Sequence, residues 1–112
     1  MSLEVIFLGT AASVPTVDRA LPSVVVKRGS EILMFDCGEG AQRQMIVGRV
    51  GFHKKMKIFV SHMHGDHVLG LPGVLQTMSL LDRSRKLEVY GPPGIRAFIK
   101  AIQRTVQFVL TF

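Results

Sequence analysis

The sequence predicts an α/β fold, and three observations carry that prediction. Short apolar runs rich in Val, Ile and Phe recur along the chain: Val5-Ile6-Phe7-Leu8, Val24-Val25-Val26, Ile32-Leu33-Met34-Phe35 and Lys57-Ile58-Phe59-Val60. Runs of this length and composition read as strands. Between and after them lie stretches whose apolar residues recur at helical spacing, such as Leu71, Val74, Leu75, Met78 and Leu81. Glycine and proline clusters separate the two kinds of segment. Strands alternating with helices define α/β, and 112 residues allow one domain at most.

Residues 3–9 form the first strand, whose near-continuous apolar run implies burial on both faces. A small-residue loop, Gly9-Thr10-Ala11-Ala12-Ser13, follows it. Residues 23–28 and 31–36 read as a hairpin turning at Gly29-Ser30. Asp36-Cys37-Gly38-Glu39-Gly40 ends the second hairpin strand and opens a helix through residues 41–46. Gly48 and Gly51 break the chain before the basic run His53-Lys54-Lys55-Met56-Lys57, expected as a loop that adds positive charge beside the site. After Leu69-Gly70-Leu71-Pro72-Gly73 comes the helix with the apolar stripe named above, all of it core-facing. Arg83-Ser84-Arg85-Lys86 is the loop to a strand over 87–90, and Gly91-Pro92-Pro93-Gly94 leads into the last helix. That helix carries Ile95, Phe98, Ile99, Ile102 and Val106 on one face and Arg96, Lys100 and Arg104 on the other. Residues 106–112 start a further strand with no turn after it, so the chain reads as cut short, since an exposed apolar edge would be left unpaired.

The chemistry lies in Ser61-His62-Met63-His64-Gly65-Asp66-His67, directly after an apolar strand. Three of the chain's four histidines fall within these seven residues, together with an aspartate. His62 and His64 are two apart, so extended backbone points them to the same side. Gly65 is expected to let the chain bend, bringing Asp66 and His67 in from another direction. Two differently aimed ligand pairs suit two neighbouring metal ions better than one. Imidazole and carboxylate without thiolate favour zinc, with manganese or iron as alternatives, and a catalytic centre over a Cys-rich structural one. The single cysteine, Cys37, cannot form an internal disulfide and is expected as a buried packing residue.

Composition bounds the remaining classes. Apolar content of 47% supplies a core. No apolar stretch approaches the ~18 residues of a membrane span, and no leader pattern precedes the first strand. A cytoplasmic, membrane-independent protein is therefore expected. The net charge of +6 fits a polyanionic partner.

His62-Met63-His64-Gly65-Asp66-His67 resembles the H-x-H-x-D-H signature of the metallo-β-lactamase superfamily. Together with Phe7-Leu8-Gly9-Thr10, Phe35-Asp36-Cys37-Gly38-Glu39-Gly40 with Gln42, and Val89-Tyr90-Gly91-Pro92, it resembles ribonuclease Z, the zinc endoribonuclease that trims the 3′ trailer of precursor tRNA. The resemblance implies an αββα sandwich of which residues 1–112 supply roughly the N-terminal half. It implies phosphodiester hydrolysis at two zinc ions, His62 and His64 holding one and Asp66 and His67 the other, with Asp66 also orienting the attacking water or taking its proton. Asp36 would fix a ligating imidazole by a hydrogen bond; a helix N-cap is its alternative role. In the family's P-x-K-x-R-N loop, Pro15 and Arg19 match while Val17 and Ala20 depart, which leaves Arg19 as a candidate substrate contact. Precursor tRNA is the implied partner. The open sheet face of a half-sandwich implies a homodimer. Two alternatives accompany this reading: another hydrolase of the superfamily acting on a phosphoester, thioester or lactone, or a non-catalytic dimer.

Overall fold

A computed structural model describes residues 2–112. The β2–β3 hairpin, Ser23–Arg28 and Glu31–Phe35, turns at Gly29, whose φ of 60° is the left-handed conformation glycine adopts without strain. β1 (Leu3–Gly9) pairs antiparallel with β2, while β4 (Lys55–Phe59) and β5 (Glu88–Tyr90) extend the sheet in parallel beyond β3. The result is one five-stranded sheet in the order β1-β2-β3-β4-β5. Each parallel step needs a crossover. Helix α1 (Ala41–Val47) supplies the first; α2 (Gly65–Val68) and α3 (Leu71–Leu80) supply the second. Helix α4 (Ile95–Thr105) follows β5.

The helices cover one face of the sheet. Val25, Ile32, Met34, Met56 and Ile58 form a single buried core with Met45 of α1 and with Leu71, Val74, Leu75 and Met78 of α3. Ile95, Phe98 and Ile99 of α4 pack against that core but stay half-buried. Arg83 is fully buried beside it and donates hydrogen bonds to the carbonyls of Phe52, Lys54, Arg85 and Lys86 at 2.8–3.1 Å.

The other face has no covering layer among the described residues. Leu3, Val5 and Phe7 are 67%, 52% and 68% exposed, so β1 is buried on one face only and not on both as its run predicted. Across the strands the register aligns Phe7, Val24, Phe35, Phe59 and Tyr90 in one row. Phe35 stacks on Phe59, and Phe59 on Tyr90, at centroid distances of 5.2 and 5.3 Å.

Several other expectations need correction. Residues 106–112 are not a strand: with no neighbouring strand to pair with, they run irregularly and seat Leu110 and Phe112 against Leu75, Leu87, Val89 and Ile99. Lys55, Met56 and Lys57 belong to β4, with Met56 buried, so the basic run is half strand and not loop. It sits at the end of β4 remote from the histidines and does not flank them. Leu81 is 47% exposed because α3 stops at Leu80 and Leu81 leaves helical geometry.

Candidate metal centre

β1, β3, β4 and β5 all run in one direction, so the loops that follow them collect at one edge of the sheet. Ligand sites in α/β sheets form at the carboxyl ends of strands. Here that edge receives Ser13 after β1, Asp36 after β3 and residues 61–67 after β4.

Residues 61–64 run as extended, non-helical chain, and His64 ends it with φ −66° and ψ 143°. The chain then enters the single turn of α2. The two-residue spacing brings the His62 and His64 rings within 4.7 Å of each other, and the turn brings the His67 ring 4.0 Å from His62. The bend does not use the special freedom of glycine: Gly65 is simply the first helical residue, and only the flexible, exposed Leu69 side chain limits a Cβ there, at 3.0 Å.

Two backbone positions that side-chained residues rarely occupy serve this loop. Asp36 and Ser13 have φ of 62° and 63°, a region Asp tolerates better than most residues. Asp36 donates its N–H to the Phe59 carbonyl at 2.7 Å, which turns its carboxylate toward the histidines. Its Oδ2 lies 2.9 Å from His67 Nδ1, and its Oδ1 accepts hydrogen bonds from the N–H and Oγ of Ser61 at 2.7 and 2.9 Å. Asp36 is not a helix cap, since Gly40 holds that place at α1. Ser61 Oγ also lies 2.9 Å from His62 Nδ1. Both imidazoles are thus held through Nδ1, which leaves Nε2 of each turned to the open side, the arrangement common among metal-binding histidines.

Ser13 donates its N–H to Asp66 Oδ2 at 3.1 Å. That bond is the chief cause that holds the Asp66 carboxyl below its ordinary range; the neighbouring His67 and His62 act in the same direction. Asp66 Oδ2 stands 3.5 Å from His67 Nε2. Donors bound at about 2.0–2.2 Å around tetrahedral zinc are separated by about that distance, so the pair fits one ion. Among the described residues no three His, Cys, Asp or Glu side chains converge on one point. The contacts among the four donors are pairwise: His62 with His64, His62 with His67, and Asp66 with His67.

Cys37 contributes no thiolate. It is fully buried, and burial, reinforced by the Asp36 charge, pushes its thiol up to about 12. Its backbone does the positioning: Cys37 N–H donates to the His67 carbonyl and its own carbonyl accepts from Gly70 N–H, at 2.8 and 2.9 Å, clamping the C-terminal end of α2. Arg19 is exposed on the loop after β1 and lines a polar cavity of about 280 Å³ with Glu39 and Arg43. Sequence reasoning singled out the Gly9–Ser13 loop and the stretch that Ser61 opens, but gave neither serine a role. Ser61 adjoins His62 and was visible there, whereas nothing local marks Ser13, 53 residues from its partner.

A family model described as anti-Pycsar protein Apyc1 matches residues 3–101. A ribonuclease Z from Nitrosopumilus maritimus is 47% identical over 110 residues, which is 98% of this chain and 37% of that protein. The structure of human tRNase Z, short form (ELAC1), superposes with a TM-score of 0.90 at 41% identity, over 96% of this chain and 42% of that one. The metallo-β-lactamase fold protein YhfI from Bacillus subtilis superposes with a TM-score of 0.71 at 26% identity, over 88% of this chain and 42% of that one. The chain spans little more than a third of the length of the curated relatives it matches. The resemblance read from the motif words is borne out in both fold and relatives: the chain belongs to the family described as anti-Pycsar protein Apyc1, has the metallo-β-lactamase fold, and is homologous to ribonuclease Z.

Proposed function

We propose that the parent protein of this chain is a metal-dependent endoribonuclease that removes the 3′ trailer from precursor tRNA. The observation that carries this reading is the paired donor set at the carboxyl edge of the sheet, with Asp36 and Ser61 fixing His67 and His62 through Nδ1. The names of the ribonuclease Z relatives and of the tRNase Z structure support an RNA, and specifically a tRNA, substrate. His62 and His64 would hold one ion, and Asp66 with His67 the other; zinc is the metal this donor set favours, with manganese or iron as alternatives. Bound there, a metal would bring water toward ionisation at neutral pH and stabilise charge on a phosphoryl group. The chain's own residues do the remaining work. Asp36 keeps His67 in one tautomer and orientation. The Ser13 N–H holds the Asp66 carboxylate in place by a hydrogen bond to Oδ2, and that carboxylate would orient an attacking water or accept its proton. Arg19 is offered to a phosphate of the substrate.

The test is incubation of the parent protein and zinc or manganese with 3′-extended precursor tRNA. The expected product is a tRNA with a free 3′ hydroxyl. Turnover of a lactone, thioester or small phosphoester without tRNA cleavage would favour a second reading, another hydrolase of the same superfamily. That reading has one observation behind it, the anti-Pycsar description of the matched family.

For the chain of 112 residues itself, we infer a homodimer in a cytoplasmic setting. No described helix is long and apolar enough to cross a membrane. The second copy would lie on the open sheet face, along the row from Phe7 to Tyr90.

A further inference from the structure

Most of the chain's positive charge lies away from the metal edge. The net charge is +6, and the segments at that edge bring Asp18, Asp36, Glu39 and Asp66 together with Arg19, Arg43 of α1 and Arg96 in the first turn of α4. Cations gather at the opposite edge of the sheet. The register sets Arg28, Glu31 and Lys55 in one row and, two rows further along the same face, Lys57 beside Glu88. The loop after α3 is drawn to the same edge by the buried Arg83, whose guanidinium holds carbonyls on both sides, those of Phe52 and Lys54 and those of Arg85 and Lys86. One buried arginine thus joins two basic segments, while the Arg85 and Lys86 side chains stand exposed.

Lys55, Lys57, Arg85 and Lys86 line a cavity of about 230 Å³ in which Glu88 is the only acid. Glu88 already accepts the Tyr90 hydroxyl. Among the described residues, no lysine or arginine lies within 4.0 Å of a carboxylate, so these cations have no internal ion-pair partner. Lys55 and Lys57 lie six and four positions before Ser61 along β4 and its extension, which at ~3.3 Å per residue is roughly 13–20 Å. A small substrate at the metal edge cannot reach it. A folded polyanion can.

We propose that this pole is a phosphate-contact surface for the backbone of an RNA substrate, engaging the body of the molecule while its 3′ end lies at the metal edge. The proposal rests on the ribonuclease reading for the identity of the polyanion. The probe is a fluorescein-labelled, 3′-extended precursor tRNA, and its anisotropy is titrated with the chain across a salt series. The logarithm of the wild-type association constant should fall linearly with the logarithm of salt concentration. Lys55→Glu, Arg85→Glu and Lys86→Glu combined should weaken binding at every salt and flatten that slope by about two to three. The neutral set Lys55→Gln, Arg85→Gln and Lys86→Gln, with circular dichroism unchanged, should give the same direction of change and guards against misfolding. Arg96→Glu with Lys100→Glu on α4 should leave the slope nearly as it was. An unaltered slope in folded pole variants overturns the proposal, as does a larger loss from the α4 variants. Displacement of the RNA by polyglutamate at matched charge would assign the pole to an acidic protein instead. Cleavage by the parent is scored separately. Salt-sensitive binding at the pole without tRNA cleavage would overturn the function reading alone; cleavage with an insensitive pole would overturn this proposal alone.

Discussion

Asp36 and Ser13 each accept an uncommon backbone conformation, and each uses it to hold a member of the histidine loop. Residues in such regions persist where the surroundings over-determine them, often at functional sites. Asp36→Ala is predicted to release His67 and to lower metal affinity by about 10- to 100-fold. Competition against a chromophoric chelator measures this, and equal affinity in the variant would show that the 2.9 Å contact does not position a ligand. Cys37 supports a second prediction. Its thiol would ionise near 9.0 once unfolded but is pushed to about 12 in the fold. The unfolded chain therefore loses its proton first, so this group's contribution to stability is complete below about pH 9 and declines as pH rises toward 12. At pH 8 a thiol reagent should label the chain only after denaturation; fast labelling of native chain would contradict the burial. At this scale the sequence revealed whatever was contiguous. His62, His64, Asp66 and His67 could be read because they share one short loop. Ser13 and Arg83 could not, because their roles are set by partners that folding brings from distant segments.

The elements meet through glycines where chain passes against chain. A Cβ on Gly70 would stand 1.9 Å from the Gly38 carbonyl oxygen, and one on Gly9 would stand 1.7 Å from the Leu21 carbonyl oxygen. Both clashes are with backbone, which cannot rotate away. Gly70→Ala should therefore cost about 3 kcal/mol or more by forcing α2 off the Cys37 backbone. Gly65→Ala, which meets only the Leu69 side chain, should cost under about 1 kcal/mol. Urea unfolding of the two variants reads the difference, and equal midpoints would mean that the α2–Cys37 clamp is not as tight as the geometry shows. Strands and helices with strong periodicity were legible: β1, the hairpin, α1 and α3 lie within a residue or two of where the pattern puts them. Residues 106–112 share the β-branched, aromatic character of a strand, but composition cannot supply a pairing partner, and without one the segment packs irregularly. The basic run was misplaced for a related reason: Lys55 and Lys57 alternate with buried Met56, and a strand edge accepts that pattern as readily as a loop does.

Over the described residues the chain is one sheet with helices on a single face, and that asymmetry has a direct physical consequence. The row from Phe7 to Tyr90 crosses five strands, about 20 Å at ~4.8 Å per strand. An apolar face of that width reaches or exceeds the ~300–600 Å² largest patch of an ordinary monomer and approaches the ~800 Å² per partner of a stable interface. Light scattering on the purified chain at micromolar concentration should report a dimer, and Phe35→Lys with Phe59→Lys should shift it to monomer; a monodisperse wild-type monomer would contradict the account. The α/β class was legible from alternation alone, and the metallo-β-lactamase architecture from the motif words. That β1 is exposed on one side was not, because an apolar run records only that a face is to be covered, not by what. The central claim is that the histidine loop and Asp66 hold the metal for precursor-tRNA cleavage. Its most direct test is cleavage of 3′-extended precursor tRNA by the parent protein, wild type against His64→Ala, with and without chelator. The account predicts a free 3′ hydroxyl product from wild type, lost on chelation, and a rate lower by several kcal/mol of barrier, at least about 10³-fold, in the variant; cleavage at an unchanged rate by His64→Ala, or cleavage indifferent to chelation, would contradict it.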